Sequence, residues 1–142
     1  MKNFHFQFFL WTLAFCQISL FSQAQKKLSP VFKNGEHNYT CFRIPAIIKA
    51  PNNDLLAFAE ARKKGCNDFG DIDLVMKTST DKGKTWSDLK IVVDNDVLKA
   101  GNPAPVVDHL DPKFPDGKIF LLYNTFCILC VENKKHILFI MV

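Results

Sequence analysis

From residue 42 to residue 123 no stretch keeps a helical period of useful length; short apolar runs alternate with turn signals instead. The runs lie at 42–50, 55–61, 72–78, 89–93, 103–107 and 118–123. Between them stand Asn52-Asn53-Asp54, the glycine-bounded segment 65–70, the octapeptide STDKGKTW at 79–86, and Pro115-Asp116-Gly117. Short strands at regular spacing, joined by turns, predict an all-β sandwich, barrel or propeller. The run at 55–61 alternates poorly, as a strand buried on both faces does. Residues 55–93 read as strand, loop, strand, hairpin turn, strand, most of one four-stranded antiparallel sheet. One such sheet must bury its faces against a partner, which a propeller blade does by construction. STDKGKTW occurs once, so no internal repeat is visible.

The octapeptide has a local physical logic. Asp81 is placed to accept hydrogen bonds from the backbone N–H groups that follow it, and Gly83 can take a positive φ without a Cβ clash. Thr85 and Trp86 favour pleated surfaces and read as the start of a returning strand. Trp86 is expected to fold back as an apolar anchor.

Of the 142 residues, 48% are hydrophobic and 23% charged, which suits a globular unit. The net charge of +4 is spread with no long basic run, which argues against a nucleic-acid surface. No phosphate loop and no set of metal ligands at binding spacing is present, and His37 and His109 read as ordinary polar residues. Residues 1–24 have the layout of a secretory signal: Lys2, an apolar run at 4–21, then small residues ending at Ala24. A membrane anchor is the competing reading, but the run holds His5, Gln7 and Gln17 and is short for a span. Export would put Cys41 and Cys66 where a disulfide persists; a bridge and two free thiols both remain open. Cys127 and Cys130 form a C-x-x-C with no second ligand pair.

Several segments together resemble the exo-α-sialidase (neuraminidase) family. Phe42-Arg43-Ile44-Pro45 matches its F/Y-R-I-P motif, and STDKGKTW matches the family's Asp-box at every fixed position. LLAFAEAR and GCNDFGDIDLVMKTS follow between them in the family's order, so the resemblance runs from about Tyr39 to about Thr125. It implies a six-bladed β-propeller, of which residues 25–125 would form the first one or two blades. It also implies hydrolysis of terminal sialic acid from glycoproteins, glycolipids or oligosaccharides, without a cofactor. The family retains configuration and uses a Tyr nucleophile, outside the usual two-carboxylate plan. Arg43 matches the first of three arginines that bind the substrate carboxylate; a planar, permanently charged fork suits that anion. Arg62 matches an arginine that touches substrate or supports the acid, and a plain salt bridge to Glu60 is the competing role. Asp68 aligns with the acid/base residue, with Asp71 and Asp73 as rivals; an acid needs surroundings that disfavour its charged form. Asp108 matches, more loosely, an acid that faces the sugar's hydroxyl or amide groups. The Asp-box itself is a fold signature away from the catalytic centre.

The family's Tyr–Glu pair and two further arginines match no residue of this chain, so the chain by itself is expected to be inactive and poorly folded. Residues 126–142 leave the family pattern, as a frameshift or premature stop near Thr125 would produce; an unusual native strand pair is the alternative. The competing functions are a non-catalytic sugar-binding propeller module and, more weakly, another Asp-box glycosidase.

Overall fold

The computed structural model describes residues 28–126 and 136–141, with Phe126 and 136–141 described by backbone alone. The expected signal at 1–24 and the Cys127/Cys130 pair lie outside the described residues. All regular structure among the described residues is strand: β1 Cys41–Lys49, β2 Leu55–Arg62, β3 Ile72–Ser79, β4 Lys90–Val93, β5 Lys99–Asp108, β6 Lys118–Phe126 and β7 His136–Met141. Strands β1 to β4 form one antiparallel meander and β5 to β7 another. A single parallel bridge, Ile72 to Lys99, joins them. The chain is therefore all-β, with one four-stranded unit followed by the start of a second. Part of the tail is in register with the rest, since His136 faces Thr125 and Met141 faces Phe120 across the β6–β7 ladder.

Strand β2 explains its weak alternation. From Leu56 to Arg62 every residue is buried. Side chains on a strand alternate between faces, and both faces are covered. Leu56 and Phe58 join Leu74, Met76, Val93, Ala100, Leu121 and Tyr123 in the larger apolar cluster. Ala59 and Ala61 join Val75 and Tyr39 in a smaller cluster, flanked by Phe32, Phe42 and Leu89. The face that holds Leu56 and Phe58 continues through Glu60 to Arg62. Two apolar residues build the core, and the next two on that face carry charge into the same buried layer.

The 79–86 turn closes around one carboxylate. Asp81 Oδ1 accepts from the N–H groups of Lys84 and Thr85, both at 2.9 Å, and Oδ2 accepts from the Thr85 hydroxyl at 2.6 Å. The Ser79 hydroxyl donates to Asp81 at 2.8 Å and accepts from Gly83 N–H. Gly83 has φ +83°, and the half-buried Trp86 ring passes beside it. The returning strand starts at Lys90 and not at Thr85. Both hydrogen-bonding groups of Thr85 are committed to Asp81, so Thr85 has no N–H left for a ladder.

Candidate active site

Two proline-bearing strands break register at the same end of the sheet. In β1 the ladder slips between Arg43 and Ala46, and Ile44 has φ 52°. In β5 it slips between Gly101 and Ala104, and Asn102 has φ 54°. Pro45 and Pro103 each lack the N–H that a regular ladder would use. A bulge swaps the faces that follow it: Phe42 packs with the smaller cluster, whereas Ala46 and Ile48 pack with the larger one. A positive φ is a true outlier for β-branched Ile44. It turns the chain just after Arg43 and leaves that guanidinium 46% exposed. The sequence reading began β5 at residue 103; the strand begins at Lys99 because the bulge carries it past Pro103.

Arg62 is the buried centre of the site, with its side chain 2% exposed. Its Nε donates to Glu60 Oε2 at 3.1 Å, and Nη2 pairs with the same oxygen. Its Nη1 reaches the carbonyls of Cys66 and Asn67 at 2.5 and 2.7 Å and Asp68 Oδ1 at 2.9 Å. Glu60, wholly buried, accepts the Asn102 N–H at 2.9 Å through Oε1, and Lys99 Nζ lies 3.6 Å from that oxygen. Gly101 makes this approach possible: a Cβ there would stand 2.1 Å from Lys99 Cε and 2.7 Å from Glu60 Oε1.

Asp68 lies on the loop after β2, with its side chain 61% exposed. Its Oδ1 faces two guanidinium groups, Arg62 at 2.9 Å and Arg43 at 3.2 Å. The hydrogen bond from Arg62 holds its carboxyl below the ordinary range, aided by the charges of Arg43 and Lys99. A general acid was expected to have its charged form disfavoured; here the ionised form is favoured, because two arginines face it. The rivals sit elsewhere. Asp71 pairs with Lys63 at 2.8 Å. Asp73 is fully buried under the Tyr39 hydroxyl, which donates to it at 2.5 Å, and burial pushes its carboxyl up. The loop is tied back by a disulfide between Cys41 and Cys66, which settles that pair as bridged.

Arg43, Arg62 and Asp68 thus come together at a cavity of about 510 Å³, lined also by Glu60, Lys99, Asn102 and Asn124. Three cationic side chains and two carboxylates face it, a net charge of +1 that favours an anion. The Asn124 side-chain oxygen has no hydrogen-bond partner among the described residues. Asp108 does not join them. It closes β5 six residues beyond Asn102, about 20 Å along a strand. There it accepts the Leu110 N–H at 2.8 Å and stands 3.7 Å from Lys118, in the role of a loop-entry residue. Asp108, expected from the resemblance to face the sugar, does not line this cavity. Sequence reading missed Lys99, Asn102 and Asn124 and saw Glu60 only as a salt-bridge partner. One signal was available: Asn102-Pro103 repeats the X-Pro pattern of Ile44-Pro45.

No family model matches the chain. Over 103 residues it is 37% identical to an exo-alpha-sialidase of Aspergillus fumigatus, covering 68% of this chain and 24% of that protein. It is 42% identical over 73 residues to an exo-alpha-sialidase of Arthroderma benhamiae, covering 47% of this chain and 18% of that protein. It is 33% identical over 82 residues to a sialidase of Micromonospora viridifaciens, covering 57% and 12% respectively. A solved structure of Trypanosoma rangeli sialidase with the inhibitor DANA overlays with a TM-score of 0.40 at 20% identity, over 71% of this chain and 20% of that one. A likeness that slight bears no weight. The chain spans about a quarter or less of the length of the curated relatives it matches. Sequence similarity to these relatives supports the sialidase family for this chain.

Proposed function

We propose that this chain carries the carboxylate-binding and acid side of an exo-α-sialidase site, on the first blades of a six-bladed propeller. One observation carries the reading: two guanidinium groups from different strands converge on a single carboxylate oxygen at the mouth of a cationic cavity. A terminal sialic acid has a carboxylate on its anomeric carbon, and the exposed Arg43 would take it in the field of Arg62. Arg43, exposed, is the direct ligand; Arg62, buried, holds the loop and contributes charge. Asp68 protonates the departing glycosidic oxygen and then takes a proton from the attacking water. The nucleophilic Tyr and its Glu partner are assigned to no residue here. The substrate carboxylate would displace Asp68 from Arg43; loss of that contact weakens the preference for the ionised form, and Asp68 takes its proton from solvent water. Export is part of the reading, supported by the bridge between Cys41 and Cys66, since disulfides persist in oxidising compartments. The substrates would be sialylated glycoproteins, glycolipids or oligosaccharides.

Binding tests it. The chain is titrated with N-acetylneuraminic acid and with its methyl ester, following the arginine side-chain signals by NMR. A hydrogen bond to a charged group is worth about 1.5–3 kcal/mol, so the acid should bind roughly 10- to 150-fold tighter than the ester. Arg43→Ala should erase the difference. Equal binding of acid and ester would remove the basis for the proposal. The lowered pKa of Asp68 also suits a non-catalytic sugar-binding module, in which an ionised Asp68 only accepts hydrogen bonds. Asp68→Asn in an active, complete enzyme separates the two: a catalytic Asp68 costs kcat, a binding Asp68 costs affinity.

A further inference from the structure

The loop between Arg62 and Ile72 poses a physical problem. Every residue from Cys66 to Gly70 is exposed, and Gly65 and Gly70 flank the stretch with φ of 115° and 110° and open space around each. Such a segment has little burial to offset the entropy of ordering it. Yet it delivers Asp68 to within 2.9 Å of a guanidinium that is itself buried. Its attachments gather at the two arginines: Arg62 donates to the Asn67 carbonyl at 2.7 Å, and both guanidinium groups face Asp68 Oδ1. Lys63 N–H donates to the Asp71 carbonyl at 3.2 Å and closes the base of the loop. At its centre both arginines donate to the Cys66 carbonyl, Arg62 at 2.5 Å and Arg43 at 3.2 Å. The same residue is joined covalently to Cys41, which lies at the start of β1 directly across the ladder from Arg62. Cys41 is 2% exposed, so the anchor end of the bridge is rigid. Asp68 follows two residues after the bridged one.

We propose that the Cys41–Cys66 disulfide is a positioning element of the site: it fixes the Cys66 carbonyl beneath the two arginines and thereby sets where Asp68 stands. The bridge closes a span of 25 residues, and its local effect is on the exposed stretch that carries Asp68. Formation of the bridge is then the step that assembles the acid loop, and the site is completed only where thiols are oxidised. The role of Asp68 in chemistry rests on the sialidase reading; the placement of the loop does not.

The titration of Asp68 is the test, read by carboxyl carbon NMR on the whole chain. Three samples are compared: the wild type, the wild type reduced with a phosphine, and the Cys41→Ser/Cys66→Ser variant. Asp81 is the internal control, because its own turn holds it at about 2 by contacts that involve neither cysteine. In both unbridged samples the proton affinity of Asp68 should rise several-fold toward that of an ordinary carboxylate, with Asp81 unmoved. An Asp68 that titrates identically with and without the bridge overturns the proposal. A joint rise of Asp68 and Asp81 also overturns it, since the bridge would then be a general staple of the fold. No sialoside enters the experiment, so this result and the acid-versus-ester binding result can fail separately.

Discussion

Glu60→Ala isolates what keeps the site assembled. Glu60 is fully buried and holds two partners outright: Arg62 through Nε and Nη2, and the Asn102 N–H at 2.9 Å. Lys99 stands nearby at 3.6 Å. Truncation leaves the buried guanidinium without its main counter-charge, and breaking a buried pair from one side costs about 3–5 kcal/mol. The orphaned Asn102 N–H would add about 1–3 kcal/mol if it stayed dry. It lines the cavity, so water can reach it, and Arg62 keeps Asp68 and two carbonyls. These compensations place the expected loss at the low end, about 3 kcal/mol. For a unit of about 100 residues, each 1 kcal/mol moves Tm by about 4–8 °C, so the variant should melt about 12–24 °C lower. The assay is urea and thermal unfolding followed by tryptophan fluorescence, with Glu60→Ala/Arg62→Ala as the companion. Contacting residues couple, so the double variant should lose less than the two single losses summed. A Glu60→Ala loss below about 1 kcal/mol would refute the reasoning, because it would show that Arg62 needs no buried counter-charge.

Two more outcomes follow from single groups. Asp81 is depressed from 3.8 to about 2, mainly by the Thr85 hydroxyl and the Thr85 N–H. Its folded value lies below its unfolded one, so its contribution is present above about pH 4 and is lost as pH falls toward 2. Asp81→Asn should flatten that part of the stability-against-pH curve, and an unchanged slope would remove Asp81 from the account. Gly101→Ala would place a Cβ 2.7 Å from Glu60 Oε1. Lys99 can swing aside but buried Glu60 cannot, so overpacking should cost about 1–3 kcal/mol in chemical denaturation. A variant as stable as the wild type would mean that β5 shifts freely.

Much of the sheet was legible because its signals are local. The strands at 42–50, 55–61 and 72–78 fall within a residue of β1, β2 and β3, since turn residues mark their ends. The Asp81 turn was legible for the same reason: all its hydrogen bonds span at most four residues. The run at 89–93 matches β4 to within a residue, whereas Thr85 and Trp86 do not begin that strand, because Thr85 spends its donors on Asp81. Of the site, Arg43, Arg62 and Asp68 were named through motif resemblance, and spacing by itself left Asp71 and Asp73 as rivals. In the structure Asp71 pairs with Lys63 and Asp73 accepts from the Tyr39 hydroxyl, contacts that local spacing does not reveal.

By itself, then, the sequence determined an all-β chain, its turns, and the residue types able to bind an anion. Those are consequences of backbone preference within a few residues. Tertiary structure decided which charges meet. Glu60 and Asn102 are 42 residues apart, yet they touch because β5 pairs with β3, the neighbour of β2, and bulges at Asn102-Pro103. The same topology carried Asp108 to the far end of its strand and brought Cys66 back to Cys41. Strand pairing sets such distances, and pairing is a property of the packed sheet and not of any one stretch of chain.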